Sequence, residues 1–264
     1  MNFDSYSTIA FERRGRVLVI ILNRPDQLNS INAPLHSELA RVFREANEDA
    51  DSDVVVLTGA GKAFCAGGDM EWLQASVGNA AAFEQVAAEA KAIIFSQLDL
   101  AKPLVCRLNG HATGLGASLA LCCDIVVAQS GAKIGDPHIK VGLVAGDGGA
   151  ILWPALMGHV KAKRYLLTGD MLSAAQAEQM GLISDVVPIE ELDATAYGIA
   201  ERIASGPTHA IRWTKVTANL SLKALVHAHF DTGIAYEMLS NQTDDHREAV
   251  AAFREKRTPV FTGR

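Results

Sequence analysis

Between Asn109 and Trp153 the chain gathers the residue types that acyl chemistry needs. Asn109-Gly-His-Ala-Thr-Gly-Leu-Gly-Ala-Ser118 is a glycine-rich turn that runs into an apolar stretch. Gly135-Asp-Pro-His138 and Gly146-Asp-Gly-Gly149 follow it. A second glycine-rich segment lies upstream, Ala60-Gly-Lys-Ala-Phe-Cys-Ala-Gly-Gly-Asp-Met70. A helix that opens on glycines leaves free N–H groups and the positive end of its dipole facing any ligand. Two such amides from separate loops form an oxyanion hole, the largest electrostatic contribution in many acyl reactions. Imidazole titrates near neutrality, so His138 suits proton transfer. Asp147 is either the carboxylate that orients it or an N-cap of the helix opening at Gly148. On this reading the loops polarise a carbonyl while His138 and Asp147 handle a proton.

Duller explanations account for part of the pattern. Glycine makes tight turns cheaply, and that suffices for Gly59 and Gly61. It explains the adjacent Gly67 and Gly68 less well. A phosphate loop would need Gly at position 56 and Ser or Thr at 63; Val56 and Ala63 stand there instead. Gly114-Leu-Gly116 begins a dinucleotide fingerprint, but Leu119 replaces the third glycine. Asp136 could compete for the imidazole but is expected to shape the turn, His111 to pack or face solvent, Ser118 to fill space, Asp124 to start a strand and Lys62 to be solvated. No His, Cys or carboxylate group has metal-ligand spacing, so no metal is expected. Cys65, Cys106, Cys122 and Cys123 form no C-x-x-C pair and read as free thiols in a reducing cytoplasm.

The elements that must position these residues are legible in outline. The chain has 264 residues, 49% of them hydrophobic and 20% charged, enough for a substantial core. Its net charge of −6 argues against nucleic acid as the main partner. No apolar run reaches the ~18 residues of a membrane span, and no secretory leader is expected at the N-terminus. Strands are expected at 16–22, 53–58, 104–108, 125–128 and 183–187. Helices are expected from Asn32 to about Ala50, and over 80–98, 115–122, 148–156 and 160–167, with another from Ser173. Beyond Glu190 the pattern is helical throughout (190–204, 207–219, 222–240, 243–256). Strand–helix alternation with an all-helical tail predicts an α/β core and a C-terminal helical subdomain.

The motifs resemble the crotonase (enoyl-CoA hydratase/isomerase) superfamily almost from end to end. The matching text is Asn23-Arg-Pro with Leu28-Asn29, Leu57 to Met70, Asn109-Gly with Gly114-Leu-Gly116 and Cys123-Asp-Ile125, and finally Phe253-Arg-Glu-Lys256 with Pro259-Val-Phe261. The resemblance implies a spiral of ββα units over residues 1–200 and a helical subdomain for assembly or closure over 201–264. It implies a homotrimer or a dimer of trimers, and acyl-CoA thioesters as substrates with no other cofactor. It assigns the oxyanion donors to the amides of Gly68 and Leu115. Ala66, Gly67, Asp69, Met70, Gly114 and Ser118 would line the substrate or CoA site. Phe253 and Lys256 would lie near the nucleotide end, often acting from a neighbouring subunit.

One departure matters. Where hydratases of this superfamily carry two glutamates, this sequence has Ser118 and His138, so a two-carboxylate water addition cannot run unchanged. Pro137-His138 followed by Gly146-Asp-Gly148 resembles a divergent branch that includes 6-oxocamphor hydrolase, which cleaves a cyclic β-diketone. The sequence thus leaves three readings: hydration or isomerisation of an enoyl thioester, hydrolysis of a β-diketone or thioester, or acyl-CoA binding without turnover.

Overall fold

The computed structural model describes residues 1–264 as an α/β fold. In chain order its elements are β1 (Ile9–Arg14), β2 (Val17–Leu22), α1 (Ala33–Glu48), β3 (Val54–Gly59), α2 (Met70–Ser76), α3 (Ala80–Asp99) and β4 (Leu104–Leu108). Then come β5 (Ala112–Thr113), α4 (Leu115–Leu121), β6 (Ile125–Gln129), β7 (Lys133–Gly135), α5 (Gly149–Met157) and α6 (His159–Thr168). The chain continues through β8 (Leu172–Ser173), α7 (Ala174–Gln179), β9 (Asp185–Val187), α8 (Ile189–Ala204), α9 (Thr208–Ala218), α10 (Leu220–Asn241) and α11 (Asp244–Glu255). No helix is long and apolar enough to cross a membrane.

The main sheet has the order β1-β2-β3-β4-β6-β9, parallel throughout except for the β1–β2 hairpin. Its β-branched runs are buried on both faces, as parallel strands covered on each side must be. Leu18, Ile20, Val55 and Leu57 point into the main core with α1 and α3, while Val17, Val19, Val54 and Val56 pack with Tyr197 and Ala200 of α8. Helix α1 begins where Asn32 accepts a hydrogen bond from the Leu35 amide, with Pro34 in the first turn. Helix α10 contributes Val226, Phe230 and Ile234 to the main core, so the tail is packed into the body of the molecule.

The strands expected from the sequence are present within a residue or two. Four features lay outside that pattern: β1, α2 and the small sheet β5-β7-β8 were not expected, and neither was the short turn of helix at His138–Val141. The small sheet sets the site, because β5 leads into α4 and β7 leads into His138.

Two asparagines fix the upstream loop. Asn29 donates to the carbonyls of Ala60 and Ala63, at 2.8 and 2.9 Å. Asn109 accepts from the Gly59 amide at 3.0 Å and donates to the carbonyls of Gly61 and Ala63, both at 3.1 Å. Asn109→Ala removes these bonds, together with the one its Oδ1 accepts from the Thr58 hydroxyl at 3.2 Å, and leaves buried backbone groups unpaired. We expect it to lower stability by about 2–3 kcal/mol, read as a shift in the urea midpoint; an unshifted midpoint would contradict this account of the loop.

Candidate active site

The two glycine-rich loops meet edge to edge. Cys65 and Ala112 form a parallel bridge, in which the Cys65 amide donates to the His111 carbonyl (3.1 Å) and the Thr113 amide to that of Cys65 (3.0 Å). Helix α4 closes onto this junction because residue 116 is glycine. A Cβ there would stand 2.7 Å from both the Cβ and the carbonyl oxygen of Cys65, closer than packed atoms come. Ile31 extends the junction by pairing with Gly68.

This arrangement brings Gly68 and Leu115 to the wall of one cavity of about 200 Å³. The Leu115 amide is the first of its helix, and the Gly68 amide lies between the two bonds of its bridge. Neither donates to an acceptor in the chain. Helix α4 has no side-chain cap, so nothing on the chain occupies the Leu115 amide. Ala66, Gly67, Met70 and Gly114 also line the cavity.

Asp69 does not line it. Its carboxylate caps α2, accepting from the Glu71 amide at 3.1 Å, and pairs with Arg24 at 3.1 Å. Ser118 does not line the cavity either: it is fully buried, and its hydroxyl has no partner. Phe253 and Lys256 end α11 on the surface, away from the cavity of their own chain. Phe253 is 60% exposed there. Cys65 is buried, which pushes its thiol up to about 12, so it is no nucleophile.

His138 and Asp147 both line the cavity, and their Nε2–Oδ2 separation is 3.5 Å. The residue that orients the imidazole is Asp136, whose Oδ1 lies 2.5 Å from Nδ1. Of the two roles the sequence left to Asp136, the geometry favours the partner of the imidazole over the turn-shaping one. The short helical turn at 138–141 folds the ring back over its neighbour two residues away. Asp147 does not act as the cap of α5: Gly148 holds that position and no side chain caps the helix. Gly149 makes room for the other oxygen of Asp136, since a Cβ at 149 would lie 1.9 Å from Oδ2.

Burial alone would depress the imidazole pKa. The carboxylates of Asp136 and Asp147 outweigh it and hold His138 well above its ordinary value. Burial, reinforced by the charge of Asp136, pushes Asp147 above the usual carboxylate range despite the opposing His138. The donor atoms of Asp136, His138 and Asp147 lie within 4.8 Å of one another, a grouping the sequence spacing did not reveal. Nδ1 of His138 is taken up by Asp136 and Nε2 faces Asp147, the arrangement of a proton-transfer network.

Sequence reasoning missed two residues of the wall. Glu237 of α10 is 8% exposed, and burial with the charge of Asp147 pushes its carboxyl up to about 8. It therefore carries a proton at neutral pH. Its signal was a carboxylate continuing the apolar stripe Val226, Phe230, Ile234 at helical spacing. His36 of α1 lies 1% exposed, with Nδ1 2.7 Å from Glu89. It shares a helix face with Leu39 and Phe43, where a polar residue is worth a question.

With this geometry in view, the chain can be compared with known proteins. The sequence model of the Enoyl-CoA hydratase/isomerase family matches residues 12–264. The chain is 36% identical to 1,2-epoxyphenylacetyl-CoA isomerase of Escherichia coli (strain K12), covering 94% of this chain and 95% of that one. A crystal structure of an enoyl-CoA hydratase/isomerase from Mycobacterium paratuberculosis superposes with a TM-score of 0.90 at 37% identity, over 93% and 98% of the two chains. A β-diketone hydrolase from the cyanobacterium Anabaena sp. PCC 7120, solved with (S)-3-oxocyclohexyl acetic acid, gives a TM-score of 0.85 at 30% identity, over 90% and 96%. The protein belongs to the enoyl-CoA hydratase/isomerase family and has the crotonase fold.

The carboxylates facing His138 set the direction of its titration. A ring with a raised pKa keeps its charge beyond the pH at which a free imidazole titrates and loses its proton only as pH rises through the raised value. Asp136→Asn removes the closest charge, so the His138 ring should titrate at lower pH than in the wild type. NMR of the imidazole Cε1–H reads this directly, and coincident titration curves would rule out Asp136 as the partner that matters.

Proposed function

We propose that the chain is an acyl-CoA enzyme of the hydratase/isomerase type that stabilises a thioester enolate and moves its proton with His138. The observation that carries this is the pair of unpartnered amides, Gly68 and Leu115, on the same small cavity as a carboxylate-flanked imidazole. The thioester oxygen would lie between the two amides, where fixed dipoles meet charge as it develops. Nδ1 of His138 is committed to Asp136, so Nε2 is the nitrogen that exchanges protons with the substrate. In hydration, water adds to the β-carbon and the electron pair of the double bond passes through the α-carbon to the thioester oxygen. The His138–Asp147 pair takes the water's proton and a proton returns to the α-carbon, so one water is consumed and no charge remains. This makes the reaction a lyase-type addition in the hydration direction; isomerisation uses the same enolate without water. CoA enters as part of the substrate, and the reaction requires no other cofactor.

The C-terminal helices, 201–264, act in assembly or closure on this reading. Exposed Trp213 (67%), Tyr236 (58%) and Leu239 (59%) support a homotrimer or dimer of trimers in which Phe253 and Lys256 serve a neighbour's nucleotide end. Sedimentation equilibrium should give a multiple of three chains; a monomer would remove this role from both residues.

His138→Ala should reduce kcat for crotonyl-CoA hydration by about 10²–10⁴-fold, with His138→Gln as the variant that preserves volume. Rates equal to the wild type would take His138 out of the mechanism. A second reading, hydrolysis of a β-diketone C–C bond, is favoured by the likeness to the Anabaena hydrolase and by the imidazole in place of a glutamate. Release of carboxylic acid from cyclic β-diketones, with no hydration of any enoyl-CoA, would replace the first reading with the second.

A further inference from the structure

The cavity wall holds a second imidazole that the proposed chemistry does not use. His36 is buried, its ring is tilted against Trp72 with centroids 5.2 Å apart, and its Nδ1 lies 2.7 Å from Glu89 Oε2. Gln85 donates to the other oxygen of Glu89 at 3.1 Å. The hydrogen bond from His36 holds the Glu89 carboxyl below its usual range, so the group is ionised and can only accept. Nδ1 of His36 therefore carries the hydrogen, and in the neutral ring Nε2 is left as an acceptor. No group of the chain bonds to Nε2, and His36 lines the cavity. Trp72 packs against the ring, and Ile31, Phe83, Val86 and Ala90 are among the apolar residues lining the same cavity. A lone acceptor in an apolar wall is unfavourable until a donor meets it. The groups of an unsubstituted acyl chain, alkene or oxo group offer no donor, whereas a hydroxyl does.

We propose that His36 is a specificity-determining residue whose Nε2 accepts a hydrogen bond from a hydroxyl on the acyl portion of the substrate. The inference rests on the acyl-CoA reading of the cavity. It assigns the substrate class as hydroxylated acyl thioesters, with the hydroxyl beyond the β-carbon and so separate from any group that hydration itself creates. Glu89 and Trp72 are positioning residues here, fixing the tautomer and the plane of the ring.

The test reads binding, so it does not depend on turnover. Saturated acyl-CoA thioesters carrying one hydroxyl at successive positions from the γ-carbon outward are titrated calorimetrically beside their unsubstituted parents. The proteins are the wild type, His36→Asn and His36→Gln. Asn places an N–H where Nδ1 stands and keeps Glu89 paired while deleting the cavity acceptor; Gln restores a polar atom near the position of Nε2. Thermal melting of both variants checks the fold. In the wild type, a hydroxyl at one chain position should tighten binding by about tenfold over the parent. That ratio should fall to about one in His36→Asn and recover in part in His36→Gln. The proposal is overturned if no position is preferred, or if the preference survives His36→Asn. Equal weakening of parent and hydroxylated thioesters also overturns it, since His36 would then be meeting the amides common to every CoA ester. A hydroxyl preference without turnover of any enoyl-CoA would sink the proposed reaction and leave this inference standing. Turnover without the preference does the reverse.

Discussion

The contact on which the site depends is the one between its two glycine-rich loops. The bridge of Cys65 with Ala112 and the approach of α4 at Gly116 hold two amides from distant parts of the sequence on one wall. Neither loop has this shape alone. Asn29 and Asn109 fold the upstream loop back on itself, and β5 exists only because β7, itself held by β8, pairs with it. Preorganised donors help a reaction because they need not reorient as charge develops. Here that rigidity comes from backbone pairing and from close packing where a side chain heavier than glycine would not fit.

The elements were largely legible because most strands are uninterrupted β-branched runs and most helices carry a full apolar stripe. What escaped had no such periodicity. The hairpin strand β1 grows exposed along its length, so its Ile-Ala-Phe-Glu-Arg-Arg text shows no clean alternation. The two-residue strands β5 and β8 are products of tertiary pairing, which no local window contains. Helix α2 is seven residues long and depends on Asp69 as its cap.

The site was legible through its motifs and less so through its partners. Gly68, Leu115, His138 and Asp147 reach one cavity as the text around them suggested. The division of labour between the two aspartates was not readable, because it turns on a short helical turn that sequence pattern does not encode. Asp136, with its 2.5 Å contact, is the orienting carboxylate, and Asp147 faces the nitrogen left for chemistry. Glu237 and His36 come from helices whose apolar spacing announced the helix and hid the exception on its face. A polar residue on a buried stripe has a partner, a cavity or a ligand to answer for it. Asn109 has the first, Glu237 the second, and the free nitrogen of His36 calls for the third.

Charge explains why these features belong together. A small, largely apolar cavity would strengthen the hold of two amides on an oxyanion in the proposed reaction, since little water competes. The same dryness would make three ionised carboxylates hostile to any anion formed beside them. Burial eases that conflict, since it favours the neutral form of an acid. It pushes Asp147 up and, with the charge of Asp147, pushes Glu237 up to about 8, while the neighbouring carboxylates push His138 up. These shifts all disfavour a strongly negative wall beside the amides proposed to hold an enolate. The fully buried Ser118, where a hydratase of this superfamily would carry a glutamate, fits the same constraint. Another carboxylate there would add negative charge to a cluster that already holds Asp136, Asp147 and Glu237.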